Sequence, residues 1–125
     1  PEPVPTELLL RKRSRELVVS FAGGARFVLG AEYLRVHSPS AEVKGHGGGE
    51  GALVTGKERV GIERVEPVGR YAVRLVFDDG HASGLFTWPI LYELGRDHER
   101  NWQRYLERLR AAGVERRAPP DGAET

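Results

Sequence analysis

The chain has 125 residues, of which 39% are hydrophobic, and it contains no cysteine. This length fits one domain with a modest core. The missing thiols exclude disulfides, thiolate-ligated zinc or iron–sulfur centres, and cysteine nucleophiles. With 19 basic and 18 acidic residues the formal net charge is only +1, so we expect no nucleic-acid partner.

The two ends of the chain are rich in proline, glycine and charged residues and show no apolar period. We therefore expect flexible tails at residues 1–6 and 118–125, and a single folded domain over residues 7–117. The longest apolar runs are three residues, far below the roughly 20 needed to cross a bilayer, so no membrane partner is expected. The start of the chain has no signal-peptide pattern, which predicts a cytoplasmic location.

Three strands are predicted first, because apolar residues recur there at the period of two that a strand shows. Gly23 and Gly24 predict a tight hairpin between the second and third strands. The first connection, residues 11–15, is the densest basic stretch of the chain, and we interpret it as a solvated hairpin tip. The alternating residues are Leu8 and Leu10, then Leu17, Val19 and Phe21, then Phe27 and Leu29.

A short helix is predicted over residues 31–36, and it stops before Pro39 because proline disfavours helix in the residue that precedes it. A glycine-rich loop follows at residues 44–51. Strand alternation resumes near Ile62, and Pro67 should end that strand or place it at the edge of a sheet.

The clearest hairpin signal is the Asp79-Gly80 pair between two strand-like runs, which predicts a two-residue turn. That register places Asp78 and His81 opposite each other on one face, close enough to form a hydrogen bond. We interpret the pair as stabilising the turn, or alternatively as a carboxylate-oriented imidazole in a binding or metal site.

Two helices are predicted at the C-terminal end. Thr87 can cap the first helix, which Gly95 should end, and Asp97 can cap a second helix that runs to about Ala112. The second helix carries an apolar stripe at helical spacing. The predicted fold class is α+β, a twisted, mostly antiparallel β-sheet built from hairpins, with a short helix after the third strand and C-terminal helices packed on the sheet. The stripe residues are Trp102, Tyr105, Leu106 and Leu109.

Motifs for autonomous catalysis are weak or missing. Residues 51–57 match the start of a phosphate-binding P-loop, but Glu58 stands where the magnesium-binding hydroxyl belongs. Ser38 and Ser40 lack the Gly-x-Ser-x-Gly elbow of a serine nucleophile. We therefore expect a protein that is not an enzyme and needs no cofactor.

The ordered motifs of the chain resemble one family, the gamma-butyrobetaine hydroxylase-like N-terminal domain. The resemblance covers roughly residues 7–113. In the hydroxylases this domain precedes an iron- and 2-oxoglutarate-dependent oxygenase domain, for which these 125 residues have no room, so we do not expect hydroxylase chemistry. The motifs that carry the resemblance lie at residues 33–47, 68–74, 77–81 and 87–95.

The resemblance also implies a structural zinc, which the small domain of the hydroxylases binds through a Leu-Arg-x-x-Cys-x-Cys-x-x-Cys motif and a later histidine. Matched from Leu34, the three cysteine positions hold Ser38, Ser40 and Val43, while the histidine corresponds to His81. Hydroxyls and a valine cannot replace thiolates as zinc ligands, so the family's site is not expected here. Related domains occur on Mrp-type P-loop ATPases that carry iron–sulfur clusters, which implies an accessory role.

We expect a non-catalytic module that binds a protein or a small ligand through the loop at residues 35–47 and the hairpin at residues 78–81. The alternative is a metal-binding regulator that holds zinc or iron through His37, His46 and His81. A protein partner, including a second copy of the chain, is the expected occupant. Both hypotheses require the loop and the hairpin to meet. The predicted binding residues are Arg35, Ser38, Ser40, Glu42, Asp78 and His81.

Overall fold

A computed structural model describes residues 3–39 and 53–117 of the chain. These residues form two three-stranded antiparallel sheets and three helices, which confirms the predicted α+β class. The first sheet has the order β1-β2-β3 and the second has the order β4-β5-β6. The elements are β1 Pro5–Arg11, β2 Glu16–Phe21, β3 Arg26–Gly30, α1 Ala31–Val36, β4 Ile62–Val68, β5 Ala72–Phe77, β6 Leu85–Thr87, α2 Trp88–Arg96 and α3 His98–Ala111.

The first sheet forms where the alternating apolar residues predict it. Leu17, Val19 and Phe21 on β2 are buried at 3% exposure or less, because the period of two places them all on the inner face. β1 begins at Pro5, so the sheet extends two residues into the predicted N-terminal tail. The short helix α1 follows β3 directly and spans the residues predicted for it.

The second sheet has β5 at its centre and β4 at an edge. Pro67 lies in β4 opposite Val73, and an edge strand tolerates a proline because one of its sides needs no backbone donor. The pairing of β4 with β5 shifts register between Ile62 and Arg64. The sequence predicts that Pro67 either ends its strand or lies in an edge strand, and the structure shows the edge strand.

The main core lies between the inner faces of both sheets and helices α1 and α2. Helix α3 contacts it through Trp102 and adds a smaller cluster, in which Val36 packs with Tyr105 and Leu109. Burial of each large apolar side chain contributes about 1.5–3 kcal/mol to stability. The largest fully buried side chains of the main core are Phe77, Phe86, Leu17, Leu29, Leu34, Leu75 and Leu91.

The hydroxyl of Tyr33 joins the three helices. It donates to the carbonyl oxygen of Leu94 at 2.6 Å and accepts from the side-chain amide of Asn101 at 3.1 Å. Burial raises the pKa of this phenol to about 12. The short helix α1 is thereby fixed to α2 and α3 by polar contacts as well as by packing.

Helix α2 begins as predicted but continues past its predicted end. The side chain of Thr87 accepts from the backbone N–H of Ile90 at 3.3 Å, which is the expected cap. Gly95 is the predicted end of the helix, but α2 runs to Arg96. The ring of Phe27 lies so close to Gly95 that a Cβ atom there would overlap it. This glycine therefore allows a strand and a helix to approach closely.

The turn between β5 and β6 differs from the predicted two-residue turn. The backbone N–H of Phe77 donates to His81 at 2.9 Å, and that of Gly80 donates to Phe77 at 3.2 Å. A two-residue type I′ turn needs positive φ at both central residues, and in the Asp79-Gly80 pair only Gly80 has it, at +94°. His81 therefore lies opposite Phe77, and the predicted opposition of Asp78 and His81 is wrong.

Candidate functional site

The loop after α1 and the β5–β6 hairpin meet at Ser38 and His81. The hydroxyl of Ser38 lies 3.1 Å from Nε2 of His81, across 43 positions of sequence. Ser38 is completely buried. Gly84 makes this burial feasible, because a Cβ atom at that position would collide with the Ser38 oxygen. A buried hydroxyl needs a hydrogen-bond partner, and the hairpin supplies one.

Beside this contact, a cluster of charged groups surrounds the carboxylate of Asp79. One of its oxygens accepts from Nε of Arg35 at 2.8 Å and from Nζ of Lys57 at 2.6 Å. The other accepts from the backbone N–H of His81 at 3.0 Å. Three separate segments, α1, the stretch before β4 and the hairpin, thus converge on one carboxylate. We call Arg35, Ser38, Lys57, Asp79 and His81 together the loop–hairpin junction.

The environment fixes the protonation states of two groups in the junction. Burial raises the pKa of Asp79, but the hydrogen bonds from Lys57, the His81 backbone and Arg35 outweigh burial and lower that pKa to about 2. Burial and the nearby charge of Arg35 both lower the pKa of His81. At neutral pH the carboxylate is therefore ionised and the imidazole is neutral.

The structure brings together part of the predicted site. Arg35, Ser38 and His81 meet as the prediction required. Asp78 lies instead against Gly61, whose carbonyl accepts from the Asp78 backbone N–H at 2.9 Å. Ser40, Glu42 and His46 lie outside the described residues.

Two members of the junction, Lys57 and Asp79, are missing from the set predicted at the sequence level. The sequence marks Asp79 only as a turn residue and Lys57 only as part of an incomplete P-loop. The available signal is that the Asp-Gly turn carries a second carboxylate next to Asp78. Which cations neutralise that carboxylate depends on the tertiary structure, and no local pattern specifies it.

The donors at the junction do not fit the zinc that the resemblance implies. The neutral hydroxyl of Ser38 occupies the position next to Nε2 of His81 where a thiolate would be needed. His37 lies next to Ser38 in sequence, and its Nδ1 donates to the carbonyl of Tyr33 at 2.9 Å while its ring packs on Tyr33. Within residues 3–39 and 53–117, no three His, Asp or Glu side chains are grouped to hold a metal ion.

The fold and the junction define a small α+β module in which three separate segments share one polar cluster. No helix among the described residues is long and apolar enough to cross a membrane. The chain belongs to the gamma-butyrobetaine hydroxylase-like N-terminal domain family, whose model matches residues 8–92. This confirms the family that the sequence motifs indicate.

Three solved structures are similar to this chain. Two are NMR solution structures of proteins that are 46% and 40% identical, both with a TM-score of 0.80. The first match covers 98% of this chain and 92% of the other, and the second covers 100% and 98%. The third is the crystal structure of a protein of unknown function from Acidithiobacillus ferrooxidans, a member of the DUF971 family. It is 42% identical, with a TM-score of 0.61, over 73% of this chain and 91% of the other.

No protein with a curated record matches this chain. The family and the fold are therefore clear, while none of the similar proteins brings an assigned activity.

Proposed function

We propose that this domain is a non-catalytic binding module whose partner contacts the loop–hairpin junction and the loop that follows α1. The observation that carries the proposal is the pairing of Arg35 with Asp79 at 2.8 Å across 44 positions. This contact joins the two segments into one polar surface. The partner is a protein or a small ligand that recognises the combined surface.

The protonation and contacts of the junction favour binding over catalysis. Ser38 is fully buried, so its hydroxyl does not reach a substrate. Asp79 keeps its charge to low pH because cations already surround it, which makes it a poor general base near neutrality. His81 holds Ser38 through a ring nitrogen. Each of these three groups is thus occupied by a contact within the fold. A catalytic nucleophile or base would instead have to be able to reach a substrate.

The same contacts suit a preorganised binding surface. The exposed fractions of the Arg35, Asp79 and Lys57 side chains are 12%, 19% and 24%. Part of each side chain is therefore accessible to a partner. Since the ion pairs already fix these side chains, a partner would lose little conformational entropy in contacting them. A rigid polar surface of this kind gives specificity through the placement of its charges.

The resemblance supports an accessory role beside an iron–sulfur carrier ATPase or an oxygenase, and a cytoplasmic location is part of this proposal. Because the chain has no cysteine, such a role means docking to a cluster-bearing partner without supplying ligands to the cluster. A second copy of the chain is another protein partner that the same surface could engage.

Affinity capture with quantitative mass spectrometry tests the proposal. Wild type is compared with Arg35→Ala/His81→Ala, and the control is Arg70→Ala/Arg110→Ala, which alters two exposed arginines away from the junction. We expect the junction variant to lose partners that wild type and control both retain, while circular dichroism shows all three folded. Equal recovery of partners by all three proteins would contradict the proposal.

The metal-binding alternative has its own test. Elemental analysis of protein purified without a histidine tag should show no stoichiometric zinc or iron if the junction is a polar binding surface. A stoichiometric metal, together with a rise in the melting temperature when that metal is added, would replace the proposal with the alternative.

A further inference from the structure

We infer that the partner of the loop–hairpin junction is an acidic protein segment, held by a cationic end of the molecule that includes the tip of the β1–β2 hairpin. This inference rests on the proposed function and names the chemistry of the partner. We call Lys12, Arg13 and Arg15, with Arg35 and Lys57 of the junction, the cationic end.

The hairpin tip carries three cations that no described residue neutralises. Lys12 and Arg13 are exposed and Arg15 is half-buried, and no ion pair or side-chain hydrogen bond joins any of them to a described residue. Their neighbour Arg11 differs, because it pairs with Glu16 at 3.7 Å. An acidic group from outside would therefore meet these three charges without displacing an internal partner.

The tip lies beside the junction. The carbonyl oxygen of Arg15 accepts from the backbone N–H of Ala31 at 2.8 Å, which fixes the tip to the start of α1. On its other side, Cγ of Arg15 and the carboxylate of Asp78 both lie within 4 Å of the Cβ position of Gly61. The two hairpin tips are thus neighbours, and a single extended partner segment could contact both.

The balance of charge at this end is positive. Lys12, Arg13, Arg15, Arg35 and Lys57 supply five cations, while Asp78 and Asp79 supply two carboxylates, an excess of three. The described residues carry 18 basic and 13 acidic side chains, a net charge of +5, so those outside the cationic end carry 5 − 3 = +2. More than half of the net positive charge of the described residues is thus concentrated in the cationic end, where it would attract an acidic partner.

The backbone conformation of Arg15 indicates that the arginine side chain is needed at this position. Its φ is 58°, in the left-handed region that glycine adopts without steric cost and that other L residues rarely occupy. At this position glycine would suit the turn better, yet the turn carries a guanidinium. Arg15→Gly consequently removes the charge and preserves the backbone conformation.

The residues around the cations favour carboxylates over a nucleic acid. Proteins that bind single-stranded nucleic acids combine cations with aromatic side chains on which bases stack. Within the described residues the one highly exposed aromatic side chain is Tyr71, at 55% exposure, and it lies in the β4–β5 turn at the other end of the second sheet. Arginine and lysine without such platforms bind carboxylates well.

A peptide titration followed by amide chemical shifts tests the inference. The probe is a glutamate-rich peptide of about twelve residues, and its control has glutamine at every glutamate; both are titrated at ~20 mM and ~300 mM salt, where screening lengths differ several-fold. We expect shifts confined to residues 11–16, Arg35, 57–61 and 78–81, abolished by high salt and absent with the glutamine peptide. Shifts elsewhere, or equal shifts with both peptides, would overturn the inference.

Matched variants separate a specific surface from general attraction. Lys12→Ser/Arg13→Ser/Arg15→Gly should weaken peptide binding about tenfold, the sum of three modest exposed charge pairs. Arg26→Ser/Arg70→Ser/Arg110→Ser removes the same charge from other parts of the surface and should leave binding within about twofold of wild type. Equal losses in the two variants would contradict the inference, and so would tighter binding of an oligouridylate than of the acidic peptide.

The affinity capture described above distinguishes the two proposals. If the hairpin-tip variant keeps a partner that Arg35→Ala/His81→Ala loses, the binding function stands and the acidic partner is wrong. If both variants lose the partner while the charge-matched control keeps it, both proposals are supported. If neither variant loses it, both fail.

Discussion

Ser38 shows how a single buried hydroxyl depends on the residue that faces it. Its oxygen fits between His81 and the backbone of Gly84, and it leaves no room for a Cβ atom on the glycine. The sequence motif indicates that position 38 matters, because the resemblance matches it to a zinc-binding cysteine of the hydroxylases. The role of Gly84 is invisible to the sequence, since the collision joins residues from separate segments. A glycine within a strand-like run can equally mark a bulge or a bend.

Gly84→Ala should destabilise the fold by about 1–3 kcal/mol, as overpacking of a filled interior does. The cause is a methyl group placed where the Ser38 oxygen lies. In the Ser38→Ala background that oxygen is gone, so the same substitution should cost less. Urea unfolding of the four proteins of this double-mutant cycle measures the coupling. Additive costs would show that the two residues do not share the space.

The charged cluster should make stability fall in acid. Asp79 has a folded pKa of about 2, below its ordinary 3.8. A depressed carboxyl pKa contributes stability that is fully present above the unfolded value and is lost as pH falls toward the folded value. Because solvent screens this exposed residue, we expect a loss of only about 1 kcal/mol between about pH 4.5 and pH 2 that depends on it.

Asp79→Asn should remove this part of the loss of stability in acid, and it should lower the free energy of unfolding at neutral pH. Guanidinium unfolding at several pH values measures both effects. Asp78→Asn is the control, because Asp78 has no ion pair among the described residues. If Asp79→Asn lost as much stability in acid as wild type does, Asp79 would not be the residue responsible.

At the level of the elements, local sequence patterns predict what forms but not every boundary. The strands of the first sheet, helix α1 and the Thr87 cap all follow from nearby residues, and the structure confirms them. The predicted end of α2 and the predicted β5–β6 turn are wrong. At both places the structure has long-range contacts that local patterns do not contain: the ring of Phe27 lies against Gly95, and Arg35 and Lys57 pair with Asp79.

The effect of Gly95→Ala on stability should have opposite signs with and without the Phe27 ring. Alanine has the higher helix propensity, worth about 1 kcal/mol in a helix interior, but here its methyl group would overlap the Phe27 ring. We expect the substitution to destabilise wild type and to stabilise the Phe27→Ala protein, where the ring is absent. Thermal unfolding of the two pairs measures the reversal. A stabilised Gly95→Ala protein in the wild-type background would show that the ring moves aside freely.

At the level of the whole molecule, the segment after α3 returns to the first half of the chain. Arg116 binds the carboxylate of Glu32 through two nitrogens, and its guanidinium lies 5.1 Å from the Trp102 ring. The next backbone N–H, of Arg117, donates to Glu58 at 2.8 Å. The sequence predicts the end of the helix but not this return, because Glu32 and Arg116 are 84 positions apart.

Arg116→Lys should destabilise the protein by about 1 kcal/mol, since lysine cannot reproduce a two-nitrogen contact with a carboxylate or the stacking on Trp102. Arg116→Ala should cost at least as much, and Glu32→Gln should add little to it because the partner is already gone. Thermal unfolding measures the set. If Arg116→Lys were as stable as wild type, the positive charge alone would hold the segment.

The phenol of Tyr33, which bridges Leu94 and Asn101, has a spectroscopic consequence. Its proton is donated to a buried carbonyl, and its pKa of about 12 keeps it protonated across the working range of pH. A hydroxyl shielded in this way exchanges slowly with solvent. It should give its own downfield proton resonance, an intrinsic reporter that disappears when any one of the three helices undocks.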